Sequence, residues 1–191
     1  MEYLSFQEGK KLIQDGDIVL VCSNSKTSLL GKIISSVENS PVYHAGIAFW
    51  LELPCGNKEL FIAEADSSGT CLTNLAQYHL QNLRILAKPD YVKNNNYTRE
   101  LFAGLGSVHY SYRKSLWSAV RQYIKVPGLN ASGMFCSEFV AKMWSKGGFP
   151  LRDTEVDPKK LEQFLLQREV KYRCWIKAHD RQYIRQNKRL V

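Results

Sequence analysis

No run of apolar residues in the chain approaches the roughly 18 needed to cross a bilayer, so a transmembrane helix is not expected. The first residues, Met1-Glu2-Tyr3-Leu4-Ser5-Phe6-Gln7-Glu8, lack a basic start followed by an apolar block. No secretory signal is visible there, and the expectation is a cytoplasmic chain, with a removed signal or another export route left open. The five cysteines, Cys22, Cys55, Cys71, Cys136 and Cys174, include no C-x-x-C pair, which argues against a zinc knuckle and a redox dithiol. The phosphate-cradling G-x-x-x-x-G-K-[ST] loop is missing too, as are metal-ligand spacing, internal repeats and low-complexity blocks. Nothing calls for a cofactor or a metal. Acidic residues are the scarcer charge, giving a formal net charge of +8 and a pI near 9.2. That balance admits an anionic membrane surface, nucleic acid or an acidic substrate as partner.

What is present fits one domain over residues 1–191, with a basic extension at about 177–191. The extension holds Lys177, Arg181, Arg185, Lys188 and Arg189 against the single Asp180. The bland reading of such a tail is a solvated helix or frayed terminus; the functional one is contact with an anionic membrane.

Taken in order, residues 6–14 form a short amphipathic helix on Phe6, Lys10, Leu12 and Ile13, closed by Asp15-Gly16-Asp17. Ile18 to Cys22 reads as a buried strand, and a helix follows over about 26–38. Val42 to Leu51 and Glu59 to Ala65 are rich in strand formers and flank a turn at Pro54-Cys55-Gly56, so an antiparallel hairpin is expected. A loop centred near 54 and 55 sets His44 opposite Glu64, give or take two positions, within reach of an imidazole–carboxylate contact. Asp66 is the alternative carboxylate within that tolerance. Further on, Thr73 to Leu80 reads as a short helix, Leu83 to Ala87 as a strand and 97–107 as a helix; 108–132 is aromatic and irregular. Pro158 opens another helix, and Tyr172 to Ile176 is a last strand.

The stretch Cys136-Ser137-Glu138-Phe139-Val140-Ala141-Lys142-Met143-Trp144 places Phe139, Val140, Met143 and Trp144 on one helical face, ending before Gly147-Gly148. Cys136 therefore stands at a helix N-terminus, where unpaired N–H groups and the dipole favour a thiolate. Alone it reads as a buried core cysteine. With a histidine base and a carboxylate to orient it, the same thiol becomes a candidate nucleophile, and Cys136, His44 and Glu64 fill those roles as types. Periodicity is silent on whether Cys136 meets His44. Cys22, Cys71 and Cys174 are expected to be buried, and His79, His109 and His179 have no neighbouring acid–thiol arrangement.

These segments resemble the circularly permuted papain-like cysteine hydrolases, the NlpC-related superfamily, and most closely its YiiX-like branch. The matching residues are Gly16-Asp17-Ile18-Val19-Leu20, Ser40-Pro41-Val42-Tyr43-His44-Ala45-Gly46-Ile47, Glu64-Ala65 and Cys136-Ser137-Glu138-Phe139-Val140, over 16 to about 148. Their order, His, Glu, Cys, is the permuted one. The branch often carries a Tyr-Asp pair between carboxylate and cysteine; Tyr110-Ser111 and Tyr112-Arg113 are the nearest matches, without the Asp. The resemblance implies an α+β fold, an antiparallel sheet or barrel packed on helices that include the nucleophile helix. It also implies a cysteine peptidase or amidase acting on a peptide or other acyl-containing substrate. Tyr43, Tyr110, Tyr112 and Ser137 are candidates for lining the cleft or serving the oxyanion. A lipid acyl hydrolase or acyltransferase would use the same thiol. A non-catalytic basic module for nucleic acid or membrane is the alternative of another class, with nucleic acid the less favoured partner.

Overall fold

The structure is a computed structural model that describes residues 2–66, 69–93, 98, 136–151 and 157–178. Its centre is a seven-stranded sheet of order β1-β7-β6-β2-β3-β4-β5. The strands are β1 (Tyr3–Leu4), β2 (Ile18–Cys22), β3 (Val42–Glu52), β4 (Lys58–Asp66), β5 (Gly69–Asn74), β6 (Asn82–Leu86) and β7 (Tyr172–Ile176). Among the described residues four α-helices of a turn or more accompany them: α1 (Phe6–Leu12), α2 (Leu29–Val37), α3 (Cys136–Lys146) and α4 (Pro158–Gln167). All neighbours pair antiparallel except β1 and β7, which run parallel. Among the described residues β1 and β5 remain at opposite edges, so the sheet is open and does not close into a barrel.

Alternation along the strands loads both faces. Ile18, Leu20, Ala45, Ile47, Ala63 and Ala65 join one buried cluster with Phe139, Val140 and Trp144 of α3 and Leu161 and Leu165 of α4. Val19, Val21, Ala48, Leu60, Ile62, Leu83 and Ile85 join a second with Phe6, Ile13 and Leu75. This double coverage is why β2 is an uninterrupted apolar run, buried at every position.

Local chemistry sets the helix ends. Ser5 and Glu8 form a reciprocal capping box at α1, and Asp157 accepts from the Lys160 N–H (2.7 Å) ahead of Pro158 in α4. α3 stops where Gly148 takes a left-handed conformation (φ 96°) and the Phe149 N–H bonds back to the Trp144 carbonyl (2.9 Å). α1 ends at Leu12, which points to solvent (46% exposed) while Ile13 is buried, so the apolar face is narrower than the sequence pattern indicates.

Residues 69–80 depart from expectation. Where a helix over Thr73 to Leu80 is expected, β5 occupies Gly69–Asn74 and only a single 3-10 turn, Leu75–Tyr78, follows. Pairing of β5 along β4, with Cys71 opposite Glu64, overrides the weak local helical spacing. Cys71 is accordingly half-buried, whereas Cys22 and Cys174 are buried. Apart from Thr98, which is helical, the helix expected at 97–107 lies outside the described residues, as do the aromatic segment 108–132 and the tail beyond Ala178.

Glu38, at the C-cap of α2, is buried, and its Oε2 finds no hydrogen-bond partner among the described residues. Burial, followed by the nearby Asp157 charge, pushes its carboxyl up to about 7. A raised carboxyl favours the protonated folded form, so its ionisation opposes folding increasingly between about pH 4.5 and pH 7. Glu38→Gln is therefore expected to raise Tm above pH 7, by the equivalent of up to about 3 kcal/mol, and to leave it unchanged near pH 4. Melting curves of both proteins across that range check this.

Candidate active site

The hairpin of β3 and β4 carries the first two candidate groups. Its loop spans Leu53 to Asn57, with the Leu53 N–H on the Asn57 carbonyl (2.8 Å) and Gly56 in a left-handed conformation (φ 83°). The turn is thus centred on Cys55, slightly later than expected, and the pairs run from Glu52↔Lys58 to Ile47↔Ala63. One step further along that register Glu64 faces Gly46 rather than His44. His44 and Glu64 are diagonal neighbours on one face, still inside side-chain reach. A Cβ on Gly46 would stand 2.2 Å from Ile62 Cγ2 and 3.3 Å from Glu64 Cβ, so only glycine allows this close approach of the strands.

A β-bulge completes the placement of His44. Val21 pairs with His44 but Cys22 with Val42, which leaves Tyr43 as the extra residue immediately before the histidine. His44 Nε2 lies 2.7 Å from Glu64 Oε2. The histidine side chain is 13% exposed and that of the glutamate 2%. A carboxylate can only accept, so the Nε2 proton points at Glu64 and Nδ1 is left for another partner. Cys136, buried at the first position of α3, is the other group whose charge and hydrogen bonding act on the imidazole. α3 presents the cysteine there because Phe139, Val140 and Trp144 anchor its apolar face in the core. The Trp144 Nε1–H also ties the helix to the Gly16 carbonyl (3.0 Å).

Burial alone would lower the proton affinity of His44, but the negative charges of Cys136 and Glu64 on its two sides outweigh it and hold the imidazole well above its usual range. Burial likewise pushes Glu64 up, while the His44 charge and hydrogen bond, then the hydroxyls of Thr73 and Tyr78, bring it below the usual carboxylate range. Burial drives Cys22 to about 12 and Cys174 to about 11, so both stay protonated thiols.

Of the other candidates, Tyr43 is half-buried with its ring 6.5 Å from that of His44, close to the Gly31 backbone of α2. Burial, then the charges of Cys22, Glu64 and Cys136, push its hydroxyl up to about 12. Ser137 is fully buried at the second position of α3. Tyr110 and Tyr112 lie outside the described residues, as does the side chain of Asp66. Two neighbours of the site were not anticipated. Thr73 Oγ1–H donates to Glu64 Oε1, and Tyr78 O–H donates to Glu64 Oε2 (2.8 Å). Reading 73–80 as a helix hid them; as a strand, Thr73 falls two residues from Cys71, which pairs with Glu64.

The sequence matches the family described as permuted papain-like amidase enzyme, YaeF/YiiX, C92 family, over residues 12–176. The chain belongs to that family. It is thus a cysteine peptidase or amidase-like hydrolase of permuted papain-like fold. No curated protein matches it. Among solved structures, the crystal structure of metalloprotein yiiX from Escherichia coli O157:H7 is similar at 17% identity and a TM-score of 0.37, over 86% of this chain and 88% of that one. No helix among the described residues is long and apolar enough to cross a membrane.

Proposed function

We propose that the protein hydrolyses amide bonds of peptide or isopeptide type through an acyl-thioester on Cys136, with His44 as base and Glu64 as the group that orients it. The observation that carries this reading is the imidazole of His44 bound on one side to Cys136 and on the other, at 2.7 Å, to Glu64. With the Glu64 carboxylate on its other side to support the positive charge, His44 takes the Cys136 proton and the pair becomes thiolate and imidazolium. The thiolate attacks the amide carbonyl, and backbone N–H groups at the start of α3 receive the oxyanion. His44 returns its proton to the amide nitrogen as the C–N bond breaks, leaving the acyl group on sulfur. A water molecule, deprotonated by His44, then attacks the thioester; the C–S bond breaks, the acid leaves and the thiol is restored.

Alkylation by iodoacetamide near neutral pH, mapped by mass spectrometry, tests the base. Cys136 is expected to react ahead of the exposed Cys55, while Cys22 and Cys174 stay unlabelled behind burial and high proton affinity. His44→Ala should slow Cys136 by roughly tenfold or more, because a free thiol is only a few per cent thiolate at pH 7. Equal labelling of Cys136 and Cys55 in the wild type would sink the reading. Peptide, lipid-ester and thioester substrates then compare the amide reading with acyl-lipid hydrolysis or transfer. Anionic vesicles, with and without the tail beyond Lys177, test membrane contact.

A further inference from the structure

Glu64 is the most enclosed charged group in the site, and three donors converge on it. His44 Nε2 and the Tyr78 hydroxyl share Oε2, at 2.7 and 2.8 Å, and the Thr73 hydroxyl takes Oε1. A buried carboxylate without such donors would sooner bind a proton than stay charged. It would then cease to attract the imidazolium.

We infer that Thr73 and Tyr78 are positioning residues, whose hydroxyls lock both oxygens of Glu64 so that the carboxylate stays ionised and turned toward one nitrogen of His44. The inference rests on the His44 base reading above and extends it to groups that touch neither thiol nor substrate. Both residues come from one short, anchored piece of chain. Thr73 is in β5, paired with Ile62 of β4, and Tyr78 closes the 3-10 turn. Between them the Asn74 side chain caps the turn through the Ala76 N–H (2.9 Å), and Leu75 is fully buried in the second core cluster. A carboxylate has no proton to give here, so both hydroxyls must donate. Burial and the charge of Glu64 hold the Tyr78 phenol protonated far above its ordinary range, which keeps it a donor at every working pH. Its ring also lies nearly parallel to the imidazole, with centroids 6.2 Å apart and planes inclined by 18°, limiting how His44 can turn.

The test is the pH profile of Cys136 alkylation in full-length wild type, Tyr78→Phe, Thr73→Val and Thr73→Ser, with melting curves alongside. A hydrogen bond to a charged group is strong enough that losing one should move the acid limb of the profile upward by about one pH unit. Tyr78→Phe and Thr73→Val are expected to show that shift, and Thr73→Ser, which keeps the hydroxyl, to restore the wild-type limb. An unmoved limb in Tyr78→Phe, with only a lowered Tm, overturns the inference; that variant keeps the ring and carries the test alone if Thr73→Val fails to fold. A wild type in which Cys136 reacts no faster than Cys55 would instead refute the base reading itself, so the two failures are distinguishable.

Discussion

Cys136→Ala is expected to remove amide hydrolysis almost completely, lowering kcat/KM by about a thousandfold or more, and His44→Ala to cost nearly as much. In a nucleophile–base unit the parts act together, so loss of either forfeits most of the shared rate gain and the double variant is hardly worse than each single one. The structure supplies the reason for expecting such non-additivity here. The charged form of His44 is favoured by Cys136 and Glu64 acting together on one imidazole. Glu64→Gln should cost less than either. It keeps the shape and an acceptor oxygen while removing the charge that supports the imidazolium, so the residual rate should also lose its wild-type pH dependence. The measurement is kcat/KM for the best amide from the substrate panel, taken for each variant and for the Cys136→Ala/His44→Ala pair. Losses that multiplied, or a Cys136→Ala protein retaining a tenth of the activity, would place the chemistry elsewhere.

Asp17→Ala should cost about 3–5 kcal/mol, the range for removing one partner of a buried ion pair. Asp17 is 0% exposed. Its Oδ2 accepts from Arg173 Nε (2.6 Å) and the Gln14 N–H (2.8 Å). Its Oδ1 accepts from an Arg173 terminal nitrogen (3.1 Å) and the Lys88 N–H (2.9 Å). One carboxylate thereby joins the entry to β2, the exit of β6 and the start of β7, three points distant in sequence. Alanine would orphan two backbone N–H groups and leave Arg173 with Gln14 Oε1 (3.0 Å) as its remaining acceptor among the described residues. For a chain of this size the expected fall in Tm is about 6–20 °C. Removing Arg173 as well should add less than its own single cost, because the two share one network. A Tm loss of a degree or two for Asp17→Ala would show that the network contributes little. This also gives the Gly16-Asp17 start of β2 a physical meaning: the aspartate belongs to the frame, and Gly16 (φ 86°) provides the turn and the carbonyl that holds Trp144 of α3.

The Cys136 helix, the β3–β4 hairpin, the Pro158 helix and the last strand were all legible from period, caps and turn residues, because those signals are local. Even the meeting of His44 and Glu64 could be approached this way, since a hairpin carries its register in its turn. The turn lies slightly later than expected, which makes the contact diagonal and leaves it intact. Where local signals compete with distant pairing, sequence reasoning went astray. Thr73 to Leu80 has helical spacing, yet β4 offers Glu64 and Ile62 as partners and draws Cys71 and Thr73 into a strand. That error concealed the hydroxyls on Glu64, and the two-residue β1 was equally invisible because its partner, β7, lies far along the chain.

What the sequence determined by itself was therefore the cast and its order: a cysteine opening an amphipathic helix, a histidine and a glutamate on adjacent strands, and the permuted arrangement that the family match over residues 12–176 bears out. The tertiary structure decided their company. Only packing of α3 against the sheet lays Cys136 on His44, only the strand pairing of β5 puts Thr73 and Tyr78 on Glu64, and only the assembled sheet gives Asp17 its arginine. The physical reason is that caps, turns and periodicity act over a few residues, whereas the charge on a buried side chain depends on every group that surrounds it.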